Sequence, residues 1–336
     1  MKKVLLLSTL FAVFLAVLMT GCGSSGIPPT SGILTMTPQE YQQARHAAKI
    51  AHVSNRQTPI TNDSGSRDIY VWPSWLEPSG YWMPGHVRRI TGNPGAYSSV
   101  HVSLNTTSIV FSSIVNGYNQ IFTSTVPAEG QTLGSPIQLT ADVEHHWLPH
   151  ISADGSKVVF TKFDSSSNGD VVCIINNIVA ANESCLDFSA TTPILKGVNI
   201  WHASWTADDK IAFEAWGGPL TSDEIFMVNA NGSGLIQITN NLGTNNYDEC
   251  PSVSTDGKWM AIDTWKDAAQ QYEIAQIDLN TKQRMDTESD AWDPLRTPYT
   301  TVYVSQQSTD QSLEIYFMAY GPLRLTNNTY ADYFAE

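Results

Sequence analysis

The chain has 336 residues, 32 of them acidic and 18 basic, for a formal net charge of −14. That balance excludes nucleic acid as a natural partner, because such binding rests on cationic contacts to phosphate and no lysine or arginine cluster offsets the total. The acidity is read as serving solubility.

In chain order, the first element is a leader over 1–21. Lys2 and Lys3 precede an apolar run from Val4 to Met19, and small residues lead to Cys22, the pattern of a secretory signal. The run is short for a bilayer span. Met19-Thr20-Gly21-Cys22 resembles a bacterial lipobox, which implies a covalent lipid on Cys22; an ordinary cleaved signal is the alternative. Gly23 and Ser24 follow with no Asp, and the resemblance then implies the outer membrane, with the protein facing the periplasm. Residues 22–36 are small, polar and Pro-bearing, a flexible tether from the lipidated Cys22. Such an anchor holds a protein on a membrane rather than through it. The sequence predicts a short helix over 37–48, with Thr37 as N-cap, Pro38 at the first helical position and Glu40 completing a capping box.

From Lys49 to Glu336 a four-part unit recurs. Its first part is an inner strand ending in a turn, as in "PSVSTDG". The second resembles "KVVFTK" or "WMAIDT", the third "DEIFMV" or "LEIYFM", and the fourth "LIQIT" or "LRLT". These runs are short, alternating and rich in β-branched and aromatic residues, and Gly, Asn, Asp and Ser punctuate them. Four strands per unit suit a propeller blade. The last unit lacks its second part, and "KIAHVSNRQ" from Lys49 supplies one at the other end. The expected fold is therefore all-β: a six-bladed β-propeller of four-stranded blades over 49–336, closed by a strand near Lys49 pairing with one near Tyr333. Closure of this kind removes an open sheet edge. Asp154, Gly155, Asp256 and Gly257 are then turn residues, not catalytic ones.

"DEIFMVNANGSGLIQITNN" followed by "PSVSTDGKWMAI" resembles the repeat of the TolB-type propellers, a WD-like repeat family. The resemblance covers Lys49 to Glu336. It implies the propeller fold and a non-enzymatic, protein-binding role in the cell envelope. TolB proteins carry a further N-terminal domain and are not lipoproteins, so their particular partners are not carried over.

Function in a propeller sits at the channel mouth and its loops, which the blades hold as scaffold. The residues entering the inner strands supply a candidate ligand or partner rim: His146, Trp147, His150, Trp201, His202, Asp248, Glu249, Trp292 and Asp293. Trp147, Trp201 and Trp292 share a column of the repeat with Glu249. Flat aromatic faces beside carboxylates and imidazoles suit a sugar ring or a peptide; the alternative is that the Trp residues fill gaps between blades. His145 and His146 are adjacent in a strand and point to opposite sides, so no metal site is assigned. No nucleophile elbow is present and no catalytic residue is assigned. No cofactor is expected beyond the lipid. Cys173 and Cys185 either close a local disulfide in an oxidising envelope or remain thiols, and Cys250 is read as core. A loop carrying Trp72, Trp75, Tyr81 and Trp82 is an outer contact patch or an edge cover. Two functions are carried forward. The first is an envelope scaffold that binds a protein through the channel mouth and loops. The alternative is a carbohydrate-binding or carbohydrate-active propeller, lyase-like or glycosidase-like, with or without a metal.

Overall fold

The computed structural model describes residues 50–54, 68–72, 88–89, 102–104, 108–126, 132–166, 169–186, 195, 197–241, 244, 246–254, 256–289, 291–296, 301–305, 314–318, 322–324 and 332–334. All of them belong to one compact unit, Met36–Glu336. The leader, Cys22, the tether, the helix over 37–48, and Trp75, Tyr81 and Trp82 lie outside the described residues. No helix among the described residues is long and apolar enough to cross a membrane.

The described chain is all-β and propeller-like. Its strands form six four-stranded sheets, with antiparallel neighbours throughout. β1 (Ile50–Ser54), β2 (Asp68–Trp72) and β3 (Arg88–Arg89) open the series. The second sheet is β4 (Val102–Leu104), β5 (Ser108–Val115), β6 (Tyr118–Thr125) and β7 (Ile137–Gln138). The third is β8 (His146–Ile151), β9 (Val158–Asp164), β10 (Gly169–Ile175) and β11 (Glu183–Cys185). The fourth is β12 (Asn199–Trp205), β13 (Lys210–Trp216), β14 (Glu224–Asn229) and β15 (Ile236–Gln237). The fifth is β16 (Asn246–Val253), β17 (Trp259–Lys266), β18 (Gln271–Asp278) and β19 (Arg284–Ser289). The sixth is β20 (Ala291–Arg296), β21 (Thr301–Ser305), β22 (Glu314–Met318) and β23 (Pro322–Arg324). β24 (Asp332–Phe334) returns to pair with β1, Tyr333 opposite Val53.

The middle strands carry buried residues on both faces, as in Val158–Phe160, Ile211–Phe213 and Met260–Ile262. Sheets covered on both sides require this, whereas a one-sided sheet would alternate with polar residues. Val110 and Ile121 meet Phe160 and Ile175 across one such interface. Val159, Val172 and Ile174 meet Ile200, Trp205, Phe213 and Phe226 across the next. Ala212, Ile225 and Met227 meet Met260, Ile262 and Ile277 across the third. Each fully buried large side chain contributes on the order of 1.5–3 kcal/mol, so stability is shared among neighbouring sheets.

The turns show why the repeat is spelled as it is. In "SADGS" the Ser152 hydroxyl donates to Asp154 Oδ1 at 2.6 Å, and the Ser156 N–H donates to the same oxygen at 3.0 Å. These donors hold the Asp154 carboxyl down at about 2, the Ser152 hydroxyl contributing most. Gly155 and Gly257 follow with φ of 76° and 71°, a region that costs residues with a Cβ about 1–2 kcal/mol. In the equivalent "TADDK" turn Asp209 takes that conformation, with φ 65°. Cys173 and Cys185 face each other across β10 and β11 and are joined as a disulfide.

Candidate functional site

The inner strands share an irregularity that positions the site. Register shifts occur between Trp147 and His150 in β8, Trp201 and Ser204 in β12, Glu249 and Ser252 in β16, and Trp292 and Leu295 in β20. Leu148, His202 and Cys250, just inside the first three shifts, have φ of 51°, 43° and 49°. Such bulges re-aim side chains and are common beside functional sites. Pro149, Pro251 and Pro294 occupy the next position in three of the four strands. Proline lacks an N–H for the ladder and is tolerated at a bulge.

Trp147, Trp201, Glu249 and Trp292 therefore occupy the same place in four successive sheets, each immediately before the bulge. The side chains of Trp292 and Asp293 lie outside the described residues. Trp147 and Trp201 touch, with ring centres 5.1 Å apart and planes tilted by 47°. His145 stacks on Trp147 at 5.3 Å, and Tyr118 lies 5.4 Å from His145. At the other end the His202 ring meets the edge of Trp201 at 5.9 Å. Tyr118, His145, Trp147, Trp201 and His202 thus make a continuous aromatic row over three sheets, and every member is partly exposed.

Beyond His202 the row ends in carboxylates. His202 Nδ1 lies 2.8 Å from Glu214 Oε2, and the Cys250 N–H donates to the same oxygen at 3.4 Å. Glu249 is directly opposite Asp263 in the β16–β17 pair, as Trp201 is opposite Glu214 in β12–β13. Like charges directly opposite repel. Burial, then Asp263, Glu214 and Asp223, push the Glu249 carboxyl up to about 8, with His202 partly offsetting them. The Tyr272 hydroxyl donates to Glu249 Oε2 at 3.4 Å. Burial, followed by Glu214, Glu224 and Asp248, raises Asp223 to about 6. Glu249 thus keeps its proton to higher pH than an ordinary carboxyl, and a protonated carboxyl can donate as well as accept hydrogen bonds.

The other candidates lie elsewhere. His146 is fully buried, its ring tilted against Phe160 at 5.5 Å. Its Nε2 lies 3.5 Å from Asp142 and 3.6 Å from Glu183, and Lys162 Nζ binds those carboxylates at 2.7 and 2.8 Å. His150 Nδ1 accepts the Trp205 backbone N–H at 3.0 Å across a sheet interface, where burial lowers the imidazole to about 4. Asp248 is buried and held by Arg284 Nη1 at 2.9 Å and the Thr264 hydroxyl at 2.8 Å. His146 and Asp248 turn away from the row because successive strand residues face opposite sides. His145, not His146, joins Trp147. Three groups among the described residues bring mixed donor atoms within 4.8 Å of one another: His202 with Glu214 and Cys250, Asp142 with His146 and Glu183, and Glu183 with Cys173 and Cys185, whose sulfurs the disulfide already occupies.

Sequence reasoning missed Glu214 and Asp263. The signal was present: each is a lone acid in a largely apolar run, "IAFEAW" and "MAIDTW".

No family model matches the sequence, and comparison with characterised proteins by sequence gives no match. Solved structures do match, and they include TolB-type β-propellers. TolB from Acinetobacter baumannii has a TM-score of 0.62 at 14% identity, over 87% of this chain and 69% of that one. A chain of a nidogen/laminin complex has a TM-score of 0.59 at 9% identity, over 85% and 97%. Oligogalacturonate lyase in complex with manganese has 0.53 at 10%, over 83% and 78%. At these identities the likeness bears on the fold alone.

Proposed function

We propose that the chain is a lipid-anchored, six-bladed propeller of the bacterial envelope that binds a protein partner through the bulged ends of its inner strands. The six sheets are the blades, and β1 paired with β24 closes the ring. Residues 1–21 are the leader, Cys22 carries the lipid, 22–36 tether the domain, 37–48 form a helix, and the domain faces the periplasm from the outer membrane. The observation that carries the reading is the row from Tyr118 to His202, five partly exposed aromatic rings held by three sheets. Tyr and Trp dominate interface hot spots because they present large rigid area at small entropic cost. The rim includes Trp147, Trp201, His202 and Glu249, with Trp292 and Asp293 continuing it. Likeness to a chain of a nidogen/laminin complex supports protein binding as a use of this architecture.

The test is crosslinking and pull-down from native envelopes with the full lipidated chain beside a Trp147→Ala/Trp201→Ala variant of verified fold. One envelope protein recovered by the wild type and lost in the variant supports the reading. Equal recovery by both contradicts it.

The Trp147–Trp201 pair, with Glu214 opposite Trp201 on the paired strand, also favours a second reading, a carbohydrate ligand, with or without turnover. Oligogalacturonate lyase has a similar fold. Binding of acidic oligosaccharides that is lost in the same double variant would select it.

A further inference from the structure

The carboxylates of this protein differ in what neutralises them. Asp248 faces Arg284, and Asp142 and Glu183 share Lys162. Glu214 is nearly as buried, yet its ion-pair partner among the described residues is an imidazole, His202. A buried carboxylate is costly unless paired with a charge or a metal.

The backbone delivers a specific donor set to Glu214. His202 and Cys250 occupy equivalent bulge positions on neighbouring inner strands, both left-handed, and Glu214 Oε2 links them at 2.8 Å from His202 Nδ1 and 3.4 Å from Cys250 N. One donor atom from each of the three lies within 4.8 Å of the others. We propose that His202, Glu214 and Cys250 form a three-donor site for a divalent cation of the zinc class, beside Trp201.

The donor chemistry selects the class. Magnesium and calcium take oxygen ligands, whereas imidazole with thiolate favours zinc and its late first-row neighbours. Zinc holds nitrogen and oxygen at about 2.0–2.2 Å and sulfur at about 2.3 Å, so donor atoms within 4.8 Å of one another lie near the spacing that one ion bridges. Cys250 is 5% exposed and His202 is partly exposed; the ion enters from the His202 side. Three protein donors leave one coordination position open, as in zinc sites that exchange a ligand. Asp263, opposite Glu249 on the next sheet, adds an acidic group nearby. The Asp142–His146–Glu183 group is the weaker candidate, because the Lys162 ammonium already sits against both of its carboxylates. The metal site does not depend on partner binding.

The experiment strips the full chain with chelator and titrates it with Co2+, then with Zn2+. The expected result is one Co2+ per chain, with a thiolate-to-metal charge-transfer band that Zn2+ abolishes. Cys250→Ser removes the band. His202→Asn and Glu214→Gln weaken Co2+ binding at least about tenfold, the loss that even a group supporting a ligand causes. Asp142→Asn leaves binding unchanged. His202→Asn and Glu214→Gln keep the test decisive if the buried Cys250→Ser variant fails to fold. The proposal is overturned by absence of binding at about a hundredfold excess of metal, or by a band that survives Cys250→Ser, which would place the thiolate elsewhere. It is equally overturned by insensitivity to both His202→Asn and Glu214→Gln, or by loss of binding in Asp142→Asn.

Discussion

Replacing His150 by Asn removes a titratable ring from a sheet interface while keeping an acceptor for the Trp205 N–H. In the wild type that N–H donates to Nδ1 at 3.0 Å, and burial holds the imidazole at about 4, against 6.5 ordinarily. The unfolded chain therefore binds the extra proton more readily between pH 6.5 and 4. The stability that the neutral ring supports is fully present above pH 6.5 and is lost as pH falls through 4. Linkage puts the loss by pH 4.5 at no more than about 2.5 kcal/mol, and the intermediate exposure of the residue as a whole brings it to about 2 kcal/mol. The assay is urea unfolding of wild type and His150→Asn at pH 7.5 and 4.5. Carboxylates such as Asp154 titrate alike in both proteins, so the difference between them isolates His150. The expected outcome is a wild type that loses about 2 kcal/mol more than the variant on acidification. Identical losses would refute a buried neutral His150.

Other perturbations read different parts of the architecture. Asp248→Asn, which leaves the Arg284 guanidinium without its buried partner, should cost about 3 kcal/mol in a thermal or urea melt. Asp286 at 2.7 Å keeps the cost at the low end. Phe213→Ala empties a site between two sheets and should cost about 3–5 kcal/mol; a cost below about 1 kcal/mol would contradict the packing described. Gly257→Ala meets only Ala207 Cβ at 3.7 Å, so its penalty comes from φ of 71°, about 1–2 kcal/mol by calorimetry. Gly234→Ala, at φ of 68°, should cost a similar amount, since the Asn229 Nδ2 that a Cβ would meet at 2.7 Å is the movable end of a side chain.

Much of the strand pattern is legible in the sequence. "KVVF", "KIAF" and "WMAI" fall in β9, β13 and β17, because short continuous apolar runs bounded by turn residues suit strands buried on both faces. The column of Trp147, Trp201, Glu249 and Trp292 is readable because the repeat keeps its spacing through each bulge. What escapes is pairing across strands. Opposition of Trp201 to Glu214 and of Glu249 to Asp263 depends on register, and the bulges shift that register. Side-chain direction escapes for the same reason: Asp248 and Glu249 are neighbours in sequence, yet one is tied to Arg284 and the other faces the site. The prolines at 149, 251 and 294 marked the irregular positions without revealing which residues they bring together.

The most direct test of the proposed binding surface is site-specific photocrosslinking in intact envelopes. A photoreactive phenylalanine analogue replaces Trp147 in one protein and Val179 in another. Val179 is 91% exposed, after β10, and serves as the control surface. The account predicts a discrete protein adduct from position 147 and none from 179. Adducts from 179 alone, or none from 147, would contradict the claim that the aromatic row is where a protein partner binds.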